Sequence, residues 1–169
     1  REIAYVDGKY YLISESPAKA CVSEELDNWT EYQLNESYLK PAHIAYGNGI
    51  FLITGSAGTT NNTYYYYSTD GVNWIPKVLN TGENFSMHSN TGKFINNRFV
   101  ALLGIYWYRT ENGNQIRTKT ENWFYESTNG INWTKHQLVV ESSENLDQMD
   151  IDYAKGTYVR VGSTGSIYT

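Results

Sequence analysis

One cysteine, three prolines and no long apolar run set the first limits on this 169-residue chain. With Cys21 alone, an internal disulfide framework is excluded. Cys21 falls within an apolar strand pattern and reads as a buried structural thiol, because a reactive thiol needs exposure and a nearby base. No stretch approaches the roughly 18 apolar residues of a membrane helix, so no membrane span is expected. Lys and Arg never cluster, and the net charge is −5. A nucleic-acid partner is therefore not expected, since it calls for a basic footprint. Helical periodicity is missing too, which argues against helical solenoids. The chain opens on Arg1 rather than Met, as a processed protein or an excised piece of a longer one would.

Aromatic residues are what the chain has in excess, at 15% with 16 Tyr and 5 Trp. They recur in a repeat. One unit reads Ile3-Ala4-Tyr5-Val6-Asp7-Gly8, followed by the apolar run Tyr10–Ile13. It returns around Asn48-Gly49, around Asn96-Asn97 and around Lys155-Gly156. In all four copies an aromatic stands three residues ahead of the last turn residue: Tyr5, Tyr46, Phe94 and Tyr153. Asp-Gly, Asn-Gly and Asn-Asn suit two-residue hairpins, whose turns need positive φ. Each copy thus predicts two antiparallel strands. The second strand is apolar at successive positions, as in a strand covered on both faces.

A second element follows the first three hairpins. It reads Ser68-Thr69-Asp70-Gly71-Val72-Asn73-Trp74, then Ser127-Thr128-Asn129-Gly130-Ile131-Asn132-Trp133. A worn copy runs from Ser23 to Trp29. Ser and Gly suit a tight turn in which short polar side chains satisfy backbone amides. The whole unit predicts four strands. With turns at Gly8, Gly49, Asn97 and Gly156 the intervals are 41, 48 and 59 residues, close to the roughly 40–50 of propeller blades.

This box resembles the Asp box of bacterial neuraminidase-type, sialidase-like repeats, Ser/Thr-x-Asp-x-Gly-x-x-Trp or Phe. Here Gly follows Asp directly, and the third copy has Asn129 in place of the acid. The resemblance implies an all-β, propeller-type array of four-stranded antiparallel blades. It also implies a structural role for Ser23, Trp29, Ser68, Asp70, Gly71, Trp74, Ser127, Asn129, Gly130 and Trp133. The expected organisation is a single repeat domain over 1–169, with blades at about 1–42, 43–90 and 91–148 and a partial one at 149–169. About 4–8 blades close a propeller. Three arrangements follow: a fragment of a longer propeller, an open array, or two copies sharing one ring through their open blade edges.

Function is expected on the loops at one end of such a scaffold. The segment Ile105–Thr120 holds Trp107, Tyr108, Arg109 and Arg117. As a loop it suits a sugar, with an aromatic platform and Arg donors. Alternatively its strands extend as a hairpin and Trp107 packs on the neighbouring blade. Glu2, His43 and Asp150 each lie six residues ahead of their turn glycine, and with His88 they are expected around a channel mouth. No close-spaced pair among them suggests a metal, and no cofactor is expected. The tetrad Tyr64–Tyr67 predicts a strand with rings packed on both faces. These features favour a non-catalytic module that binds a glycan or a surface protein, as part of a bacterial surface or phage-tail-like protein outside the cell. A sialidase-type glycoside hydrolase fragment and a self-assembly unit are the alternatives. The sialidase resemblance implies that the hydrolase would need three substrate-gripping Arg, a Tyr–Glu pair and an Asp acid. Of the five Arg present, Arg98 and Arg160 fall on predicted strands and Arg109 and Arg117 share one segment.

Overall fold

The structure is a computed structural model that describes residues 2–58, 62–81, 85–138, 150–162 and 167–169. Among these residues the chain is all-β, and every strand pairing is antiparallel. The first meander is β1 (Glu2–Val6), β2 (Lys9–Glu15), β3 (Ala18–Ser23) and β4 (Thr30–Gln33). The second is β5 (Leu39–Gly47), β6 (Ile50–Ala57), β7 (Asn62–Ser68) and β8 (Ile75–Thr81). The third is β9 (Phe85–Ile95), β10 (Arg98–Glu111), β11 (Asn114–Ser127) and β12 (Thr134–Leu138). The fourth unit has β13 (Asp150–Ala154), β14 (Thr157–Val161) and the short β15 (Ile167–Tyr168). Single-bridge pairing of Ser56 with His88 joins the second and third meanders into one sheet.

Local chemistry explains the repeat. Asp7-Gly8, Asn48-Gly49, Asn96-Asn97 and Lys155-Gly156 all have both φ values between 48° and 84°, the left-handed pair a tight hairpin needs. An aromatic pair clasps each turn across the strands. Ring centroids lie 4.7 Å apart for Tyr5–Tyr10, 4.4 Å for Tyr46–Phe51, 4.8 Å for Phe94–Phe99 and 4.9 Å for Tyr153–Tyr158. Cross-strand aromatic pairs of this kind contribute about 0.5–1 kcal/mol each. The register beyond the turn is also shared: the box serine faces the residue after next from the turn in Tyr10↔Ser23, Phe51↔Ser68 and Phe99↔Ser127.

The meanders pack through their faces. Tyr11, Ile13 and Ala20 of the first meet Ile44, Phe51, Ile53 and Tyr66 of the second. Leu52 and Tyr65 of the second meet Phe99, Phe94 and Trp133 of the third. Val100 and Leu102 of the third meet Ile151 and Tyr158 of the fourth. Strand β7 shows the logic: Tyr66 joins the cluster with the first meander and Tyr65 the cluster with the third. Successive side chains of a strand point to opposite faces, so a strand covered on both sides has no polar alternation. Each fully buried side chain contributes roughly 1.5–3 kcal/mol. Cys21 is a free, buried thiol, and burial raises its pKa.

Two first strands start earlier than the expected 43 and 91. β5 begins at Leu39, which is fully buried and pairs with Ala57, and β9 begins at Phe85 opposite Trp107.

Candidate functional site

The boxes are structural turns. Asp70 Oδ1 accepts the amides of Val72 and Asn73 at 2.9 and 2.8 Å, and Asp70 Oδ2 accepts Asn73 Nδ2 at 2.7 Å. Ser68 Oγ accepts the Gly71 amide and donates to Asp70 Oδ1, both at 2.9 Å. The amide and side chain of Asn73 are the main reasons the Asp70 carboxyl is held well below the usual carboxylate range. Asn129 Oδ1 repeats the pattern on the Ile131 and Asn132 amides at 3.0 and 2.9 Å, with Ser127 Oγ accepting the Asn129 amide at 3.3 Å. In the worn copy Ser23 Oγ still accepts the amides of Glu25 and Leu26.

The boxes also join neighbours. A Cβ on Gly71 would stand 2.4 Å from the Tyr11 ring, and one on Gly130 would stand 3.2 Å from Leu52. Tyr11 and Leu52 hold the same place, three residues past their turn glycine. Trp133 meets Tyr65 of the preceding meander edge-on at 5.6 Å, whereas the ring contact of Trp74, with Phe51 at 6.2 Å, lies within its own meander. Trp29 differs: its indole N–H donates to the Leu26 carbonyl at 3.0 Å at the exposed front of the first meander.

The first strands bring a charged cluster together. Glu2, His43 and Asp150 are equivalent by register, each facing the residue five past its turn glycine: Ile13, Thr54 and Val161. Glu2 Oε2 accepts the Ile44 amide at 2.6 Å and lies 3.7 Å from His43 Nδ1. Lys93 on β9 supplies the cation, with Nζ 2.5 Å from Asp150 Oδ1. Burial pushes the Glu2 pKa up, but His43, the Ile44 amide and Lys93 together outweigh it and leave the net shift downward. Asp150 behaves likewise: burial is outweighed by Lys93, the Ile151 amide and His43. The side chain of His88 lies outside the described residues. Among the described residues, no group of three or more His, Cys, Asp or Glu is placed to hold a metal ion.

Lys93 was not singled out from sequence. Its signal is a lone charge in the apolar run Phe94-Ile95 and its approach, at the place held by Ala4 and Ala45 in the earlier first strands.

Of the two readings of Ile105–Thr120, the extended hairpin is the one the structure shows, not the loop. β10 and β11 pair from Phe99↔Ser127 out to Glu111↔Asn114, closed by Asn112-Gly113 with φ of 50° and 79°. Trp107 is half-buried and packs on Ala101, Leu103, Ile105 and Tyr125 of its own meander, a cluster that Ala57 and Leu79 of the second meander also cover. Lys119 Nζ sits 5.9 Å from the Trp107 ring centre, and Arg117 lies over the Tyr106 ring at 5.1 Å. From Arg109 to Thr120 every residue is exposed. Arg109 pairs with Glu111 at 3.1 Å, and Tyr108 is half-buried at the base of the tip. The structure therefore gathers Tyr108, Arg109 and Arg117 on one arm and separates Trp107 into the packing beneath it.

No family model, curated protein or solved structure matches the chain.

Proposed function

We propose that the chain is a non-catalytic recognition module, a propeller-type array of Asp-box-like blades that grips a protein partner with the β10–β11 ribbon. The observation that carries this reading is the ribbon itself, twelve consecutive exposed residues from Arg109 to Thr120 held as paired strands. The array is supported by the shared register of box serines, by the matched contacts of Gly71 and Gly130, and by contacts between successive first strands. A protein partner is favoured over a glycan because the Trp107 indole is half-buried against the core of its own meander and Lys119 lies over it. That covers the Trp107 face on which a sugar ring would stack. The exposed arm carries Arg109, Arg117 and Lys119 against Glu111, on a chain of net charge −5. Such local reversal of sign suits an acidic partner surface.

A general acid needs a raised pKa at neutral pH, yet Glu2, Asp150 and Glu121 are all shifted down. Tyr125, beside Glu121, is pushed up to about 12 by burial and by that carboxylate, the wrong direction for a nucleophile.

Immobilised chain, probed in parallel with protein and glycan arrays and with fluorogenic sialosides, tests the reading. The expected result is retention of acidic proteins that weakens with added salt and drops at least tenfold in the Arg109→Ala, Arg117→Ala double variant. Glycan retention lost in Trp107→Ala, or turnover of a sialoside, would replace it.

A further inference from the structure

The chain has three Asn-Gly pairs: Asn48-Gly49, Asn112-Gly113 and Asn129-Gly130. Asparagine is chemically labile, and a following glycine sharpens the hazard. The glycine backbone nitrogen can attack the asparagine side-chain carbonyl carbon, because no glycine Cβ hinders the approach. A Cγ–N bond forms, the Cγ–Nδ2 bond breaks and ammonia leaves. Water then opens the cyclic imide at either of its two carbonyls, yielding aspartate or isoaspartate. The reaction needs a side chain free to turn and a glycine open to approach.

The structure separates the three pairs on these two requirements. Asn129 meets neither. Its Oδ1 accepts the Ile131 and Asn132 amides and the Ser127 hydroxyl, and a Cβ on Gly130 would stand 3.2 Å from Leu52. Asn48 meets one. Gly49 is open, but Asn48 Nδ2 donates to the Thr128 carbonyl at 3.1 Å, which ties the side chain to the third meander. Asn112 meets both. Its side chain makes no hydrogen bond among the described residues, and nothing lies within 4 Å of a Cβ built on Gly113. The pair also stands at the tip of the β10–β11 ribbon, where every residue from Arg109 to Thr120 is exposed. A two-stranded ribbon is marginally stable by itself, so this turn opens locally at little cost.

We infer that Asn112 is a site of spontaneous deamidation, and that its conversion weakens the grip of the ribbon. From Arg109 to Thr120, Arg109, Arg117 and Lys119 stand against Glu111 alone, an excess of two positive charges. A carboxylate at position 112 cuts that excess to one. Isoaspartate does more: it adds a carbon to the backbone inside the turn and so breaks the pairing of Glu111 with Asn114. The loss of grip rests on the proposed role of the ribbon; the place of conversion does not.

The test holds the intact chain at mildly alkaline pH, which favours attack by the amide nitrogen, and maps its peptides by mass spectrometry over days. Conversion at Asn112 is expected to run at least tenfold faster than at Asn48 or Asn129, with isoaspartate among the products. In guanidinium, where the fold no longer distinguishes them, the three sites are expected to converge. Asn112→Gln is expected to abolish conversion at that position. Equal rates in the folded chain, faster conversion at Asn48 or Asn129, or an Asn112 that stays intact while the unfolded chain converts, would each overturn the site. For the consequence, Asn112→Asp is expected to bind acidic proteins at least threefold more weakly than the parent at low salt. Unchanged retention overturns the weakening. A parent chain that retains no acidic protein overturns the ribbon reading and the weakening with it, while the peptide map decides the site independently.

Discussion

Two box positions show how one atom group decides a turn. Leu26 occupies the place of Gly71 and Gly130, and its φ of 67° matches their 71° and 64°. A leucine there is strained, since the left-handed region costs an L-residue about 1–2 kcal/mol. Leu26→Gly is therefore expected to stabilise the chain by about 0.5–1 kcal/mol in urea unfolding, the gain reduced by the greater freedom of glycine when unfolded. Gly71→Ala is expected to cost about 2 kcal/mol or more, because strain and a clash with the Tyr11 ring act together. Asn129 offers a charge test. In Asn129→Asp the new carboxylate inherits the Ile131 and Asn132 amides, so its folded pKa falls below the ordinary value of about 3.9. The added stability, about 0.5 kcal/mol, is present above that value and lost as pH falls through the lowered folded pKa. Unfolding curves at neutral pH and at about pH 3 check the sign. No pH dependence of the gain would contradict the box geometry.

At the level of elements, the ribbon and the hairpins obey one rule but were not equally readable. Asn112-Gly113 repeats the chemistry of Asn48-Gly49 and makes the same turn. The polar run Arg109–Thr120 left loop and hairpin both open to the sequence, because a strand exposed on both faces lacks the alternation by which half-buried strands are read. The hairpins and boxes were legible since glycine, asparagine and serine act on their own backbone, whatever the tertiary setting. The charged cluster was half legible. Glu2, His43 and Asp150 follow from equal spacing, whereas Lys93 sits two residues out of step, in a strand whose pairing shifts between Leu102 and Leu103. A two-stranded ribbon without a covered face is marginal alone. Shortening it by joining Tyr108 to Thr118 through Asn-Gly is expected to shift the unfolding midpoint by less than about 2 °C. Amides of residues 109–117 are expected to exchange far faster than those of β6.

Among the described residues, strand pairing falls within each unit except at Ser56↔His88, and much of the burial lies between units. Such arrays gain stability from nearest neighbours. On the first meander Ile3 and Tyr5 are more than half exposed, at 54% and 64%.

The junction has a consequence for descent. Both halves of it, the upstream Tyr11 or Leu52 and the downstream box glycine, are encoded within a single repeat. A tandem duplication spanning residues 39–81 would arrive with a socket on one side and a plug on the other. The coding region can thus lengthen or shorten by whole modules without inventing a new contact, whereas gain or loss of half a module leaves a socket unfilled.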